Sequence, residues 1–266
     1  RRPMLHEQRV RGGAVQDAVV FQLAALMCLV GMALCWTGVL SRYAGFYDLT
    51  VVWNSVLWGI PLGALVAVLE FQSLFLPYFE TVLGGQEAAQ GPSLPVLLWW
   101  VFMHSAVVHL VLRRTSIRST GGHVTAGWAL GTAMGGMHGL FLSAQLLGAP
   151  MTLHAAHRWL GALAFGLLMP RLEAVLTAWQ GQLMLQGRRV GAVVRAAAWR
   201  MVMLTLAYFA FFQPLAWIAA IGVLGLTESR VDSWVWGGLD KRAQRMLRRI
   251  RATAARERRQ AQTEEE

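Results

Sequence analysis

The stretch VVFQLAALMCLVGMALCWTGVL, residues Val19–Leu40, decides the class of fold. It contains no charged side chain, and as a helix it would extend about 33 Å, enough to cross the hydrocarbon core of a bilayer. Because lipid offers no hydrogen-bond partners to backbone amides, such a run has to be helical there. The stretch therefore predicts a membrane-spanning helix and an integral membrane protein.

Further apolar runs follow along the rest of the chain, and one of them is weaker than the others. In His157–Ala178 the apolar residues are soon interrupted by Arg171 and Glu173, so a re-entrant or protein-buried segment is an alternative to a full span. We predict an all-α, polytopic integral membrane helical bundle of five to six membrane segments over residues 1–226. The other predicted spans are Thr50–Val68, Pro95–Leu112, Val124–Leu147 and Met201–Leu226.

The composition agrees with this class. Hydrophobic residues make up 56% of the 266 residues and charged residues only 14%, against roughly 25% in soluble domains. The net charge is +10, but the basic residues cluster between apolar runs and in the C-terminal tail. This distribution indicates that the basic residues orient the membrane helices and contact anionic lipid, rather than bind nucleic acid. No DNA partner is expected.

The topology can be predicted in two ways. Six simple spans place both termini on one side, which the basic N-terminus and tail make the cytoplasmic or matrix side. That arrangement leaves the basic loops around Arg113–Arg118 and Arg188–Arg195 outside, against the positive-inside rule. A rival arrangement with non-spanning segments brings all basic clusters inside. The membrane is expected to be a bacterial inner membrane or an organellar inner membrane.

Two segments flanking the spans are predicted to lie at the membrane surface. Leu69–Glu80 mixes aromatic residues with Glu70, and Gln180–Arg200 is amphipathic and basic. Glu70, like Arg171 and Glu173, stands at the end of an apolar run, where side chains can reach the interface. No carboxylate is therefore predicted in the middle of a span, which weakens the case for a transporter.

The fourth predicted span carries a row of small residues at every fourth position. Such a row has almost no side chains over some 24 Å of helix, so another helix can approach closely. The approaching helix can belong to the same chain, to a second copy or to another protein. We predict a helix-packing interface formed by Gly127, Gly131, Gly135, Gly139 and Ser143.

Histidines in the third and fourth spans form the second polar feature. His104 and His138 lie near the midpoints of consecutive helices, at similar depth in the membrane. Two facing imidazoles there could ligate the iron of a b-type haem, or they could make structural hydrogen bonds, hold a metal or form part of a proton path. The histidine spacings differ from those usual in two-haem membrane cytochromes.

The sequence contains none of the motifs HExxH, Walker loop or GxSxG. It also gives no catalytic set of residues within the spans. The sequence therefore favours a non-enzymatic role, and no metal site is predicted.

Residues 227–266 form a second unit, a basic amphipathic C-terminal tail. Apolar residues recur there at helical spacing from Leu239 to Ala254. Anionic headgroups are the expected partner of its basic face, with ribosomal RNA or an acidic protein as the alternative. The basic residues of this predicted surface are Lys241, Arg242, Arg245, Arg248, Arg249 and Arg251.

Three functional hypotheses follow, in order of preference. The first is a non-enzymatic subunit or scaffold of a larger membrane complex, which meets a protein partner or a second copy through the glycine row of the fourth span. The second is a b-type haem-binding electron-transfer protein that uses His104 and His138. The third is a transporter of a small solute.

Overall fold

The chain is helical throughout the part described by the computed structural model, which covers residues 3–83, 93–148, 155–213 and 215–265. Helix accounts for 92% of it, and no strand occurs in these ranges. A 3₁₀ turn at Leu40–Tyr43 follows the first helix, and a π-helical turn at Phe71–Phe75 follows the second. The α-helices are α1 Pro3–Val39, α2 Leu49–Glu70, α3 Leu76–Leu83, α4 Leu94–Leu112, α5 Thr115–Thr120, α6 His123–Gly148, α7 Ala155–Leu185, α8 Arg189–Phe212, α9 Leu215–Glu228, α10 Val231–Gly238 and α11 Lys241–Glu265.

Among the described residues, five helical segments are long and apolar enough to cross a membrane, which confirms an all-α polytopic membrane bundle. One of these spans, Ala156–Leu185, includes the weak predicted segment His157–Ala178 and is longer than it. The five segments are Ala18–Tyr43, Leu49–Tyr78, Leu94–Leu112, Ala156–Leu185 and Arg189–Ala210.

Helix α6 is not one of these five segments, yet it forms the centre of the bundle. All residues from His123 to Gly136 are buried, including the polar Thr125 and Thr132. Helices α1, α2 and α7 pack around it. A helix enclosed by other helices touches little lipid, so it can carry glycine and hydroxyl groups that a lipid-facing helix would not favour.

Contacts between the helices define two ends of the bundle. At one end, a cavity is shared by the loop before α2, the start of α6 and the start of α11. A second cavity at this end joins the end of α4 with the α7–α8 junction. Because the loops that carry Arg113–Arg118 and Arg188–Arg189 meet there with α11, we call it the basic end. At the opposite end, Val19 of α1 lies beside Leu147 of α6 and Trp159 of α7.

The predicted span Met201–Leu226 is wrong. The helix that contains Met201 begins earlier, at Arg189, and ends at Phe212, directly before Gln213 and Pro214. Proline removes a backbone donor and restricts the residue before it, so a helix tends to end there. Pro214 itself lies outside the described residues.

After this break the chain turns back along α7. The ring of Trp217 in α9 packs edge-on against Phe165 of α7, with 4.5 Å between centroids, and Glu228 pairs with Arg171. The start of α1 and the tail helix α11 consequently lie at opposite ends of the bundle.

Within the tail, Lys241–Glu265 form one basic helix, α11, that lies against the basic end. Leu247 of α11 is buried and Ala243 packs beside it, whereas Met246 and Ile250 are exposed. The six basic residues named above are all exposed. The guanidinium of Arg251 lies 5.7 Å from the ring centre of Tyr43, so α11 is also joined to the bundle by cation–π contact.

Candidate functional site

A fully buried arginine organises the first polar group inside the bundle. Arg200 of α8 has no exposed surface. Its Nε and Nη2 atoms each donate to Oε2 of Glu173, at 3.2 Å, and Nη2 also donates to Thr177 Oγ1 at 3.0 Å. Its Nη1 atom donates to Ser105 Oγ at 2.8 Å and to Gln180 Oε1 at 3.2 Å. Each nitrogen of the guanidinium therefore has at least one acceptor, as a buried cation requires.

Three of these acceptors come from one face of α7. Glu173, Thr177 and Gln180 are spaced i, i+4 and i+7, so they lie in line along the helix. Gln180 extends the network by donating its Nε2 to the backbone oxygen of Ser105 on α4, at 2.8 Å. The network thus ties α4, α7 and α8 together through hydrogen bonds that have no water to compete with them.

His104 completes this group. Its Nε2 atom lies 3.7 Å from Oε2 of Glu173, beyond a direct hydrogen bond but within ion-pair distance. The imidazole is 3% exposed, and neither ring nitrogen has a hydrogen-bond partner. A buried imidazole with two unsatisfied nitrogens is unusual in a purely structural role. We call Arg200, Glu173, Thr177, Gln180, Ser105 and His104 the arginine cluster.

A second polar group lies where α2 gives way to the π-helical turn. Glu70 is the last residue of α2 and is 1% exposed. The hydroxyl of Tyr208 on α8 donates to its Oε1 atom, and Nε2 of His138 on α6 lies 3.6 Å from the same oxygen. The Nδ1 atom of His138 is buried and has no hydrogen-bond partner. We call Glu70, Tyr208 and His138 the tyrosine cluster.

The local backbone helps to explain the position of Glu70. The π-helical turn Phe71–Phe75 follows it directly, and such turns in α-helices are frequent at functional sites. The ring of Phe75 in this turn packs at a tilt against the ring of Tyr208, with 5.3 Å between ring centroids. The turn does not interrupt the apolar span that starts with α2, which continues to Tyr78. Its residue Phe75 packs against Tyr208, whose hydroxyl donates to Glu70.

The two clusters lie one above the other along α6. Gly135 of α6 lies against Cβ of Glu173, and His138 follows three residues later, about 4.5 Å further along the helix axis. Electrostatic interactions connect His138 with Glu70, Glu173 and His104. The arginine cluster is nearer the basic end, where α6 begins.

The predicted surface positions of these charged residues are wrong. Leu69–Glu80 is largely a continuation of the membrane span, and Glu70 is buried in it. Gln180 and Arg200 are completely buried, and Glu173 is 5% exposed. The Gln180–Arg200 segment is not one surface helix, because it is divided between two candidate spans, Ala156–Leu185 and Arg189–Ala210. Arg171 is partly exposed and pairs with Glu228 of α9 instead of extending to lipid headgroups.

The predicted glycine interface is filled by α7 of the same chain. A Cβ atom added to Gly127 would lie 2.7 Å from the backbone oxygen of Thr177, and one added to Gly139 would lie 2.8 Å from that of Phe165. Gly131 and Gly135 meet the α7 backbone equally closely. Ser143 continues the row by donating to the backbone oxygen of Ala162 at 2.8 Å. Of the possible partners for this face, the structure shows the intrachain one.

The predicted haem ligands His104 and His138 belong to different clusters, and each faces a glutamate. Their unsatisfied nitrogens would suit an iron ligand. A porphyrin would find no room on the glycine side of α6, because α7 is packed there at backbone contact. The fit of haem is therefore poor on that side of His138. Among the described residues, no group of three or more His, Cys, Asp or Glu side chains is arranged to hold a metal ion.

The tail residues predicted as a lipid or partner surface lie apart from both clusters. Arg248 and Arg251 approach the ring of Trp236, at 5.4 and 5.5 Å from its centre. Arg242 lines a cavity with the loop before α2. These contacts hold α11 against the basic end.

Comparison with known protein families, with curated proteins and with solved structures finds no match for this chain. What the two clusters can do chemically is therefore inferred from the arrangement of their own residues. A carboxylate beside an imidazole can accept, hold and release a proton, and two such pairs are stacked along the central helix.

Proposed function

We propose that the protein carries protons through its membrane domain. The observation that carries this proposal is the pair of buried imidazole–carboxylate contacts, His104 with Glu173 and His138 with Glu70. Chains of Glu, Asp and His inside membrane proteins are typical of proton relays in pumps and transporters.

Stability alone is a weak reason for such residues. A charged side chain at the centre of a membrane helix costs about 2.5–3.5 kcal/mol on insertion scales. Replacement of a buried ion pair by well-packed apolar residues is often neutral or stabilising. A chain that keeps Glu70, Glu173 and Arg200 in its interior therefore gains something other than stability from them.

The two carboxylates are suited to different tasks. Glu173 accepts two hydrogen bonds from Arg200, which fixes it as an anion. Among the described residues, Glu70 has no arginine or lysine partner; its neighbours are Tyr208 and His138. Glu70 is therefore the carboxylate that takes up and releases the proton, whereas Glu173 stays paired with Arg200.

The spacing of the clusters fits transfer in steps. The 3.6 and 3.7 Å contacts exceed hydrogen-bonding distance by less than 1 Å, so a small side-chain movement or one bridging water closes them. His138 interacts electrostatically with both carboxylates and lies on the helix between them. It is the group placed to pass a proton from one cluster to the other.

The distribution of charge gives the proposed orientation. The loops that carry Arg113–Arg118 and Arg188–Arg189 meet the tail helix at the basic end, so the positive-inside rule places this end in the cytoplasm or matrix. The arginine cluster is then nearer the inner face. The start of α1 lies on the outer side.

A proton-flux assay tests the proposal. The protein is reconstituted into phosphatidylcholine–phosphatidylglycerol vesicles that contain a pH-sensitive dye, and a potassium diffusion potential drives proton entry. Glu70→Gln removes the proton site with little change in shape and should lower the flux by about tenfold or more. Glu80→Gln makes the same substitution at an exposed position of the following helix and should leave the flux unchanged. Equal flux in both variants would remove the basis of the proposal.

The haem-binding alternative keeps one supporting observation, the unsatisfied nitrogens of His104 and His138. It predicts a Soret band in the purified protein, with α and β bands on reduction that disappear in His138→Ala. A featureless spectrum from haem-replete cells would contradict it. The scaffold hypothesis would need a surface other than the glycine row, since α7 covers that row.

A further inference from the structure

A small cavity at the basic end is lined by cationic and imidazole side chains from four parts of the chain. Its volume is about 210 Å³. Arg113 follows α4, Arg118 lies in α5 and Arg189 begins α8. His109 of α4 and His123 of α6 complete the polar wall, and the end of α7 supplies apolar atoms. None of the described carboxylates lines this cavity.

The positive charge in this cavity is not compensated by the part of the chain that the structure describes. Within it, neither Arg113 nor Arg118 nor Arg189 forms an ion pair with a carboxylate. Like charges that converge without a counter-ion repel one another, so their convergence favours a bound anion.

The two histidines add unused hydrogen-bonding capacity. The Nδ1 atoms of His109 and His123 are buried and have no hydrogen-bond partner. His123 is only 8% exposed, and it is the first residue of the 26-residue helix α6. The N-terminal end of a helix carries partial positive charge and free backbone donors, which adds to the attraction for an anion.

Size and geometry narrow the class of ligand. A cavity of about 210 Å³ is smaller than the roughly 300–1,000 Å³ of ordinary small-molecule sites, and it suits a compact anionic group. Guanidinium groups match the oxygen spacing of phosphate and bind it through paired hydrogen bonds. The cavity also lies at the ends of two candidate membrane spans, Leu94–Leu112 and Ala156–Leu185, a position that suits contact with lipid headgroups.

We propose that this cavity binds a phosphate group, carried either by the headgroup of an anionic phospholipid or by free phosphate. The three arginines contact the phosphate oxygens, and His109 and His123 supply further hydrogen bonds. The site is separate from both buried clusters, so its occupancy does not depend on proton transport. A lipid bound here would join the ends of α4 and α7 to the starts of α6 and α8.

Two neighbouring arginines provide matched controls. Arg114 follows Arg113 directly, but its guanidinium lies 3.9 Å above the ring of Trp58. Arg188 precedes Arg189 and, like Arg114, is not among the residues that line the cavity. The double variants R118Q/R189Q and R114Q/R188Q therefore remove the same charge from the same end of the bundle, and only the first removes it from the cavity.

Binding is measured by calorimetric titration of the purified full chain in a non-ionic detergent, with inorganic phosphate and short-chain phosphatidic acid as separate probes. We expect the unaltered chain and R114Q/R188Q to bind with similar affinity. The affinity of R118Q/R189Q should be lower by a factor of about ten or more. Binding of phosphatidic acid alone identifies a lipid site; binding of inorganic phosphate identifies a site for the free anion.

Melting curves of both variants accompany the titration, because all four arginines are exposed and their loss should not unfold the chain. If R118Q/R189Q fails to fold, the single variants R118Q and R189Q replace it, each against R114Q. No binding of either probe to the unaltered chain would overturn the proposal. Equal weakening in the two double variants would also overturn it, since it would show a general effect of surface charge.

Discussion

Arg200 of α8 and Glu173 of α7 form an ion pair in the interior of the bundle, with two guanidinium nitrogens each 3.2 Å from one carboxylate oxygen. Arg200 has no exposed surface, and Glu173 is 5% exposed. Each charge therefore depends on the other for compensation.

Loss of Arg200 alone should be more damaging than loss of both charges. Arg200→Met leaves Glu173 as an uncompensated buried anion and should lower the free energy of unfolding by about 3–5 kcal/mol. Arg200→Met with Glu173→Gln removes both charges and should recover much of that loss. Thermal unfolding in detergent measures both variants. A double variant no more stable than Arg200→Met would show that the pair is not the source of the effect.

The close contact between α6 and α7 should not tolerate a single added methyl group. A Cβ atom at Gly131 would lie 2.7 Å from Cα of Ala174, and backbone cannot move aside cheaply. Gly131→Ala should therefore destabilise the protein by about 1–3 kcal/mol.

Gly222→Ala in α9 is the matched control for this packing test, because no atom lies within 4 Å of the added group. It should leave the melting temperature unchanged or raise it slightly, since alanine favours helix more than glycine does. Similar melting temperatures for Gly131→Ala and Gly222→Ala would contradict the intrachain packing of the glycine row.

The interaction of Tyr208 with Glu70 should depend only on the hydroxyl group of the tyrosine. Tyr208→Phe keeps the ring that packs near Phe75 but removes the donor, which leaves Glu70 with one polar neighbour fewer. We expect a loss of about 1–3 kcal/mol in unfolding free energy, together with slower proton flux. Tyr47→Phe in the loop before α2 is the control, because that tyrosine lies outside both clusters. Unchanged stability and flux in Tyr208→Phe would show that the hydroxyl does not serve the carboxylate.

The orientation can be tested with introduced cysteines. The natural thiols of Cys28 and Cys35 are 3% and 0% exposed, so they should remain silent towards a membrane-impermeant maleimide. Ser119→Cys, at the basic end, should be labelled from the cytoplasmic or matrix side only, and Glu80→Cys from the other side only. Labelling of both positions from the same side would contradict the arrangement of the spans.

The apolar runs predicted the class of fold because membrane burial depends mainly on the hydrophobicity of each segment. The Val19–Leu40 run predicted a spanning helix, and the structure contains one at Ala18–Tyr43. The glycine row from Gly127 to Gly139 predicted a helix-packing face, and in the structure α7 lies against it. The sequence did not say which helix packs against the row, because a groove of small residues accepts any apolar helix surface.

His104 and His138 were named from the sequence, but the buried charged residues around them were missed for a different reason. Glu70, Glu173 and Arg200 stand near the ends of apolar runs, and a hydropathy average does not distinguish a side chain that faces lipid from one that faces protein. Their partners are also distant in sequence, as in the contact between Glu70 and Tyr208. One local signal was present: Glu173, Thr177 and Gln180 share a helix face, which marks a polar stripe in an otherwise apolar segment.

Protonation of Glu70 itself provides the most direct measurement. Infrared difference spectra of the protein in lipid, recorded as the pH is changed, report the carbonyl stretch of any protonated carboxyl side chain. We predict a band that changes with pH in the unaltered chain and in Glu80→Gln, and that is absent in Glu70→Gln. A band that persists unchanged in Glu70→Gln would contradict the assignment of Glu70 as the group that takes up and releases the proton.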